Sequence, residues 1–201
     1  HIAVVFDIGG SASRLEIFPE YKANRDETPD GIKVAVPIIH KFLKVMNISA
    51  LGVEGFEADD VIGTLAKKAE KSGYDVFMMT PDKDFGQLVT DKIKMLRPKR
   101  GGEPSEILGP KEICEKWNIS RVEQVVDVLG LMGDSADNIP GIPSVGQKTA
   151  AKLLTEYDSL EGILKNSDKI KGKLGEKVRE FGDQGIMSVS YTHLTLPTNC
   201  V

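Results

Sequence analysis

The stretch GFEADDVIGTLAKKA, residues 55–69, crowds Glu57, Asp59 and Asp60 into four positions ahead of an apolar series with helical spacing. Acidic side chains in a helix's first turn offset its positive dipole end by roughly 0.3–1 kcal/mol each, which accounts for two of them. Further carboxylates stand in comparable places. Asp7 ends the strand-like run IAVVFD, Asp82 and Asp84 follow YDVFMMTP, and Asp134 and Asp137 follow the helical run VVDVLGLMG. If the apolar runs are strands of one parallel sheet, the first six lie along one sheet edge and the last two approach from a helical half. Two unit charges ~4 Å apart repel by about 4 kcal/mol at an effective dielectric of 20, so such a cluster needs cations. Hard oxygen ligands without His or Cys select Mg²⁺ or Mn²⁺. Two such ions ~3.5–4 Å apart activate a water and stabilise the leaving oxygen of a phosphodiester.

Simpler readings stand beside this one. Asp82 and Asp84 resemble the start of a calcium loop, but the fifth position is Gly86 and the bidentate Glu is missing, which leaves a plain turn. Asp134 and Asp137 suit Asx turns, and Asp7 suits a helix cap.

A second element is NIPGIPSVGQKTAAKLL, residues 138–154. Gly141 to Thr149 nearly matches a phosphate loop, but Gln147 separates Gly146 from Lys148 and no strand precedes it. Two short helices joined by a glycine hairpin expose backbone N–H groups near Lys148 and Lys152, which suits gripping a phosphate backbone without reading bases. An ordinary helix connection is the plain alternative.

The elements that must position these groups follow from periodicity. Runs rich in β-branched and aromatic residues at 2–7, 49–54, 74–80 and 92–97 read as strands, and helical spacing at 30–46 and 58–72 falls between them, with Pro37 a kink or late start in the first. This alternation predicts an α/β fold with a parallel sheet under helices. From Gly109 onward the pattern is helical, interrupted by DNIPGIPSVG (137–146). The 201 residues suffice for one sizeable core, and no apolar run approaches the ~20 residues that span a bilayer. Two cysteines make no disulfide framework, which fits a reduced cytoplasm. The net charge of −4 does not mark a nucleic-acid binder, but basic residues segregate into YKANR, KIKMLRPKR and KIKGKLGEKVR, away from EADD, DKD and GDSAD.

The segments IAVVFD, YKANR, EADDVIGTLAKKA, TPDKDFGQL and LGLMGDSADNIPGIPSVGQKTAAKLL together resemble the 5′ nuclease domain of bacterial DNA polymerases I, in the flap endonuclease family, over residues 1–188. The resemblance implies a PIN-like α/β nuclease core over 1–108, with an arch near 21–35, and a helical region with a helix-hairpin-helix over 109–188. It implies metal binding by Asp7, Glu57, Asp59, Asp60, Asp82, Asp84, Asp134 and Asp137, with two Mg²⁺ or Mn²⁺. Lys22 and Arg25 would contact the scissile phosphate at the base of a helical arch. Gly141, Val145, Gly146 and Lys148 would hold duplex DNA, often around a K⁺ ion, with Thr149, Lys152 and Arg14 completing the DNA-contacting set. The partner expected is DNA with a 5′ end or flap, cut by a monomer whose parent chain carries a polymerase domain, without a membrane.

Two departures bear on this. The family has a further metal-binding Asp on an earlier strand, and the chain opens at His1 directly on a strand, so a segment is expected upstream. DIGGSASR replaces a family pattern closer to D-x-x-G-x-T-F-R, with Gly10 and Arg14 kept. At the far end GIMSVSYTHLTLPTNCV holds no Asp, Glu, Lys or Arg, and residues 189–201 read as a non-native tail. Two rivals remain: an actin-like sugar kinase, whose first phosphate loop DIGGS resembles but whose second loop and adenosine motif are missing, and a non-catalytic helix-hairpin-helix DNA-binding module.

Overall fold

The four expected strand runs all form strands, each shorter than its run, in the computed structural model, which describes residues 1–9 and 12–194. β1 (Ala3–Val5) pairs in parallel with β2 (Ser49–Leu51), Ala3 opposite Ser49. β3 (Val76–Met79) pairs in parallel with β4 (Ile93–Arg97). The expected single sheet is thus two short ones among the described residues. β5 (Glu106–Leu108), which the sequence reading omits, adds an antiparallel edge to β4. The link 98–105 is too short for the crossover of a dozen or more residues that a parallel partner needs, so it closes as a hairpin.

α1 (Ala12–Ile17) follows β1, and α2 (Asp30–Val45) runs straight through Pro37 rather than starting after it. Pro37 withdraws a donor from the carbonyl of Lys33, and both residues are exposed to water. α2 also leaves Ile38, Phe42 and Val45 exposed. α3 (Ala58–Lys71) touches β1, β3 and β4, joining the two sheets, and buries Val61 and Ala66.

A 3₁₀ helix at Lys83–Leu88 carries Phe85 and Leu88 into the core. α4 (Pro110–Trp117) starts on a proline, whose missing N–H is no loss at that position, and the Glu112 carboxylate accepts from the Gly109 N–H at 2.9 Å. α5 (Gln124–Met132), α6 (Gln147–Tyr157), α7 (Leu160–Lys165) and α8 (Gly172–Thr192) complete the helical half. α5 packs on α6, α8 and the 3₁₀ helix, so one apolar core runs without a break from Met78 and Ile93 through Leu129 and Leu131 to Leu154 and Val178. Against that core the two halves are held as one frame.

Residues 189–192, expected from composition to be part of a foreign tail, form the last turn of α8. Tyr191 is buried against Phe18 and Tyr21. Gln87 pins the end of this helix and the residues after it: its amide nitrogen donates to the Thr192 carbonyl at 2.7 Å and its oxygen accepts from the Leu194 N–H at 3.0 Å. The rest of that tail, from 195, and Gly10 lie outside the described residues.

Candidate metal centre

Each acidic group is set in place by a local backbone feature. Asp7 follows β1 and accepts the Ala58 N–H at 2.6 Å, so it caps α3 from 51 positions away. Glu57, the residue before that helix, makes no side-chain cap bond of its own. Asp82 caps the 3₁₀ helix by accepting the Asp84 N–H at 3.0 Å. Asp134 and Ile139 exchange backbone hydrogen bonds at 2.8 and 2.7 Å, which closes the loop that presents Asp137.

These elements bring Asp7, Glu57, Asp59, Asp82, Asp84 and Asp137 to the wall of one polar cavity of about 210 Å³. The other two predicted ligands are drawn off. Asp60 is buried and takes a bidentate contact from Arg14, Nη1 at 2.6 Å and Nη2 at 2.9 Å. Asp134 pairs with Lys83 at 2.6 Å. Among the described residues, no group of three His, Cys, Asp or Glu side chains is drawn together tightly enough to hold an ion as it stands. The expected convergence of eight carboxylates is therefore six around a cavity, Glu57 and Asp137 among them ion-paired there, and two drawn off into ion pairs of their own, because the basic side chains interleaved with them compete for the same oxygens.

Lys22 and Arg25 line the same cavity. Lys22 Nζ lies 2.7 Å from Glu57, and Arg25 pairs with Asp137. The expected helical arch is not helical over 21–29: a turn and a coil lead into α2. That turn is bolted to the opposite half by the Lys22 N–H donating to the Asp137 carbonyl at 3.0 Å and by Asn138 reaching the Glu20 carbonyl at 2.8 Å. Lys22 adopts φ 57° there, a left-handed conformation uncommon outside glycine, held by the bond to Asp137.

Electrostatics follow the geometry. Burial, then the charges of Asp82 and Glu57, push the Asp59 carboxyl up to about 6. Burial and Asp82 push Asp84 up to about 7, and its Oδ1 is buried without a hydrogen-bond partner. Burial works against the Arg14 cation, but the Asp60 hydrogen bond and charge outweigh it, so its pKa rises. The same competition, decided by Asp134, raises Lys83. The cavity thus carries more negative charge than its cations cancel.

At the hairpin, Gly133 (φ 71°) and Gly141 (φ 59°) lie back to back, and a Cβ on Gly141 would come within 2.3 Å of the Gly133 nitrogen. Only glycine fits this approach. Gly141 and Val145 are buried and shape the hairpin. Gly146, Lys148 and Lys152 are exposed and Thr149 is half-buried, and Gly146 starts α6 without a side-chain cap, leaving its first N–H groups turned outward. Arg14 departs from the expectation: it is buried, bound to Asp60, Glu57 and the Tyr191 carbonyl, because an interior carboxylate needs its charge. Tyr21 and Lys83, which sequence reasoning passed over, stand beside Lys22 and between Asp82 and Asp84; adjacency to those motifs is the one signal that marks them.

An α/β half and a helical-hairpin half meeting over an acidic cavity define the class. Residues 1–118 match the 5′-3′ exonuclease N-terminal resolvase-like domain, and residues 120–200 match the 5′-3′ exonuclease C-terminal SAM fold. The chain belongs to the 5′-3′ exonuclease family. It is 46% identical over 189 residues to DNA polymerase I of Bacillus subtilis, covering 94% of this chain and 21% of that protein. It spans about a fifth of the length of such relatives. The bacteriophage T5 5′-exonuclease with bound zinc ions superposes with a TM-score of 0.79 at 25% identity, over 98% of this chain and 75% of that one. A bacteriophage T5 flap endonuclease variant in a pseudo-enzyme-product complex with DNA and metal ions gives 0.78 at 25% identity, over 98% and 75%. Family membership leaves the sugar-kinase reading without support. No helix among the described residues is long and apolar enough to cross a membrane.

Proposed function

We propose that this chain is a divalent-metal-dependent 5′ nuclease that hydrolyses DNA phosphodiester bonds at 5′ ends or flaps, leaving a 5′-phosphate and a 3′-hydroxyl. The observation that carries the reading is the six-carboxylate cavity with Lys22 and Arg25 on its rim. The donor set is all oxygen, Asp84 Oδ1 is buried and unpartnered, and Asp59 and Asp84 hold raised pKa values that a cation would relieve. These residues fit Mg²⁺ or Mn²⁺. Asp59, Asp82, Asp84, Glu57, Asp7 and Asp137 would hold two such ions, with Asp134 and Asp60 behind them. When bound, the ions lower the pKa of a water and neutralise charge on the phosphate.

The chain's own groups do the rest. Lys22 and Arg25 present cations at the mouth, where an exposed guanidinium grips phosphate oxygens in a fork. Lys148 and Lys152 on α6, with the uncapped helix start at Gly146, hold the duplex backbone at a distance from the cut. A K⁺ ion at that hairpin, action inside the cell as a monomer, and a place in a longer DNA polymerase I-like chain serving replication and repair belong to the same proposal, supported by the relatives' names.

The test is cleavage of a 5′-flap duplex with Mg²⁺, with EDTA and with Asp82→Ala. Cutting in Mg²⁺ alone, abolished by chelator and by the substitution, is expected. Duplex binding without cutting under all conditions would instead establish a non-catalytic hairpin module.

A further inference from the structure

The cations that line the acidic cavity have carboxylate partners: Arg14 pairs with Asp60, Lys22 with Glu57 and Arg25 with Asp137. Two cations further along the same surface have none. Arg97 ends β4 and Lys116 stands in the last turn of α4, and among the described residues neither side chain forms an ion pair or a hydrogen bond. Arg97 shares a strand face with Ile93 and Met95, by the two-residue period of a strand. Those two are buried, whereas Arg97, at the end of the ladder, is half-buried. Glu106 lies opposite it in β5 but pairs with neither cation. Desolvation of the Lys116 ammonium, then the charge of Arg97, lower the Lys116 pKa, and Glu106 offsets only part of this. The two cations therefore share a net positive field that an anion would relieve.

Their place in the fold says which anion. β3 and β4 run parallel with Met79 opposite Leu96, and the Thr80 N–H donates to the Leu96 carbonyl at 3.3 Å. Arg97 thus stands opposite Thr80, just ahead of Asp82, on the sheet edge that carries the cavity. One strand spacing of ~4.8 Å plus two residues of at most ~3.6 Å each puts the Arg97 and Asp82 Cα atoms within ~12 Å of each other. On the other side, Gln147, the first residue of α6, donates its side-chain amide to the Lys116 carbonyl at 2.7 Å. That bond ties the end of α4 to the uncapped helix start beside Lys148. Positive charge therefore runs from the cavity through Arg97 and Lys116 to the hairpin. Each DNA strand carries one phosphate per ~3.4 Å of helix axis, so a backbone held at both ends passes Arg97 about three or four steps from the cut.

We infer that Arg97 and Lys116 form a phosphate clamp, a further backbone site that grips duplex DNA between the acidic cavity and the hairpin. This rests on the nuclease reading of the cavity. The planar fork of Arg97 takes two phosphate oxygens and Lys116 adds a point charge. Neither reads a base, so the grip is independent of sequence.

The test measures duplex binding by the full chain in EDTA, where binding is read without cutting, as the slope of log K against log salt. Arg97→Gln and Lys116→Gln should each make that slope shallower by about 0.9, and the double variant by about 1.8. Arg97→Lys keeps the charge and should restore most of the slope. Lys92→Gln, at the opposite end of β4 where the ammonium donates to the Gly73 carbonyl at 3.3 Å, should leave it unchanged. A duplex with uncharged methylphosphonate linkages about three and four steps from the cut locates the contact. It should weaken binding by the parent and leave binding by the double variant unchanged. Circular dichroism melting checks that each variant is folded. Folded variants that keep the parent's slope, or a double variant as sensitive as the parent to the methylphosphonates, would rule out the clamp, while flap cleavage by the parent in Mg²⁺ would leave the nuclease reading standing. A parent that binds no duplex at all overturns both.

Discussion

Replacing Asp84 with asparagine separates what the acidic cavity costs the fold from what it gains by binding. Burial first, then the Asp82 carboxylate, push the Asp84 carboxyl from 3.8 to about 7, with Lys83 pulling the other way. Below about pH 4 the group is neutral in both folded and unfolded chains and costs nothing. Between about pH 4 and about pH 7 the unfolded chain releases the proton while the folded chain keeps it, so stability falls as pH rises, by about 1.4 kcal/mol per pH unit. Above about pH 7 the full cost, about 4 kcal/mol as an upper bound, persists. Asparagine is close in shape and carries no charge. In chelator, urea unfolding should therefore give equal stability for Asp84→Asn and the parent at about pH 4, and a variant more stable by about 2–4 kcal/mol at about pH 8. Divalent metal should reverse the order, since an ion at about a hundred times its Kd adds about 2.7 kcal/mol to a chain that binds it. Equal stabilities in chelator at the higher pH would refute the claim that Asp84 is held in a repulsive, desolvated place.

The same geometry sets three further outcomes. Arg14→Met should cost about 3–5 kcal/mol in denaturant unfolding, because the Asp60 carboxylate is left buried without its bidentate partner; a cost below about 1 kcal/mol contradicts the pair's role. Gly141→Ala forces a Cβ onto the Gly133 backbone at positive φ and should destabilise by more than about 3 kcal/mol, whereas Gly146→Ala, with open space around it, should cost under about 1 kcal/mol. Lys148→Ala and Lys152→Ala should each reduce the salt dependence of duplex binding by about one in the slope of log K against log salt, as counterion release requires; unchanged slopes would remove the lysines from the phosphate contact.

Much of this layout is legible in the residues. The runs IAVVFD, YDVFMMT and KIKMLR declare strands because β-branched and apolar residues cluster there, and EADDVIGTLAKKA declares a helix by its spacing, so the placing of Asp7, Asp59 and Asp84 near one another follows from topology. β5 is not legible: EIL carries too little pattern, and its direction is set by the short link before it. Nor is the pairing of Arg14 with Asp60, or of Lys83 with Asp134, since each joins residues far apart in the chain and depends on how the elements dock. Burial of Tyr191 is equally a product of docking. The uncharged stretch around it reads as foreign by composition, yet its ring closes one wall of the cavity. A sequence shows which groups carry charge, but not which of them neutralise each other.

Diffraction from crystals soaked in Mn²⁺ and recorded at the manganese edge tests the central claim most directly. Anomalous peaks inside the cavity, within coordination distance of Asp59, Asp82 and Asp84, are expected. A cavity without anomalous density at saturating Mn²⁺, or peaks confined to other carboxylates such as Asp127 or Glu112, would contradict it.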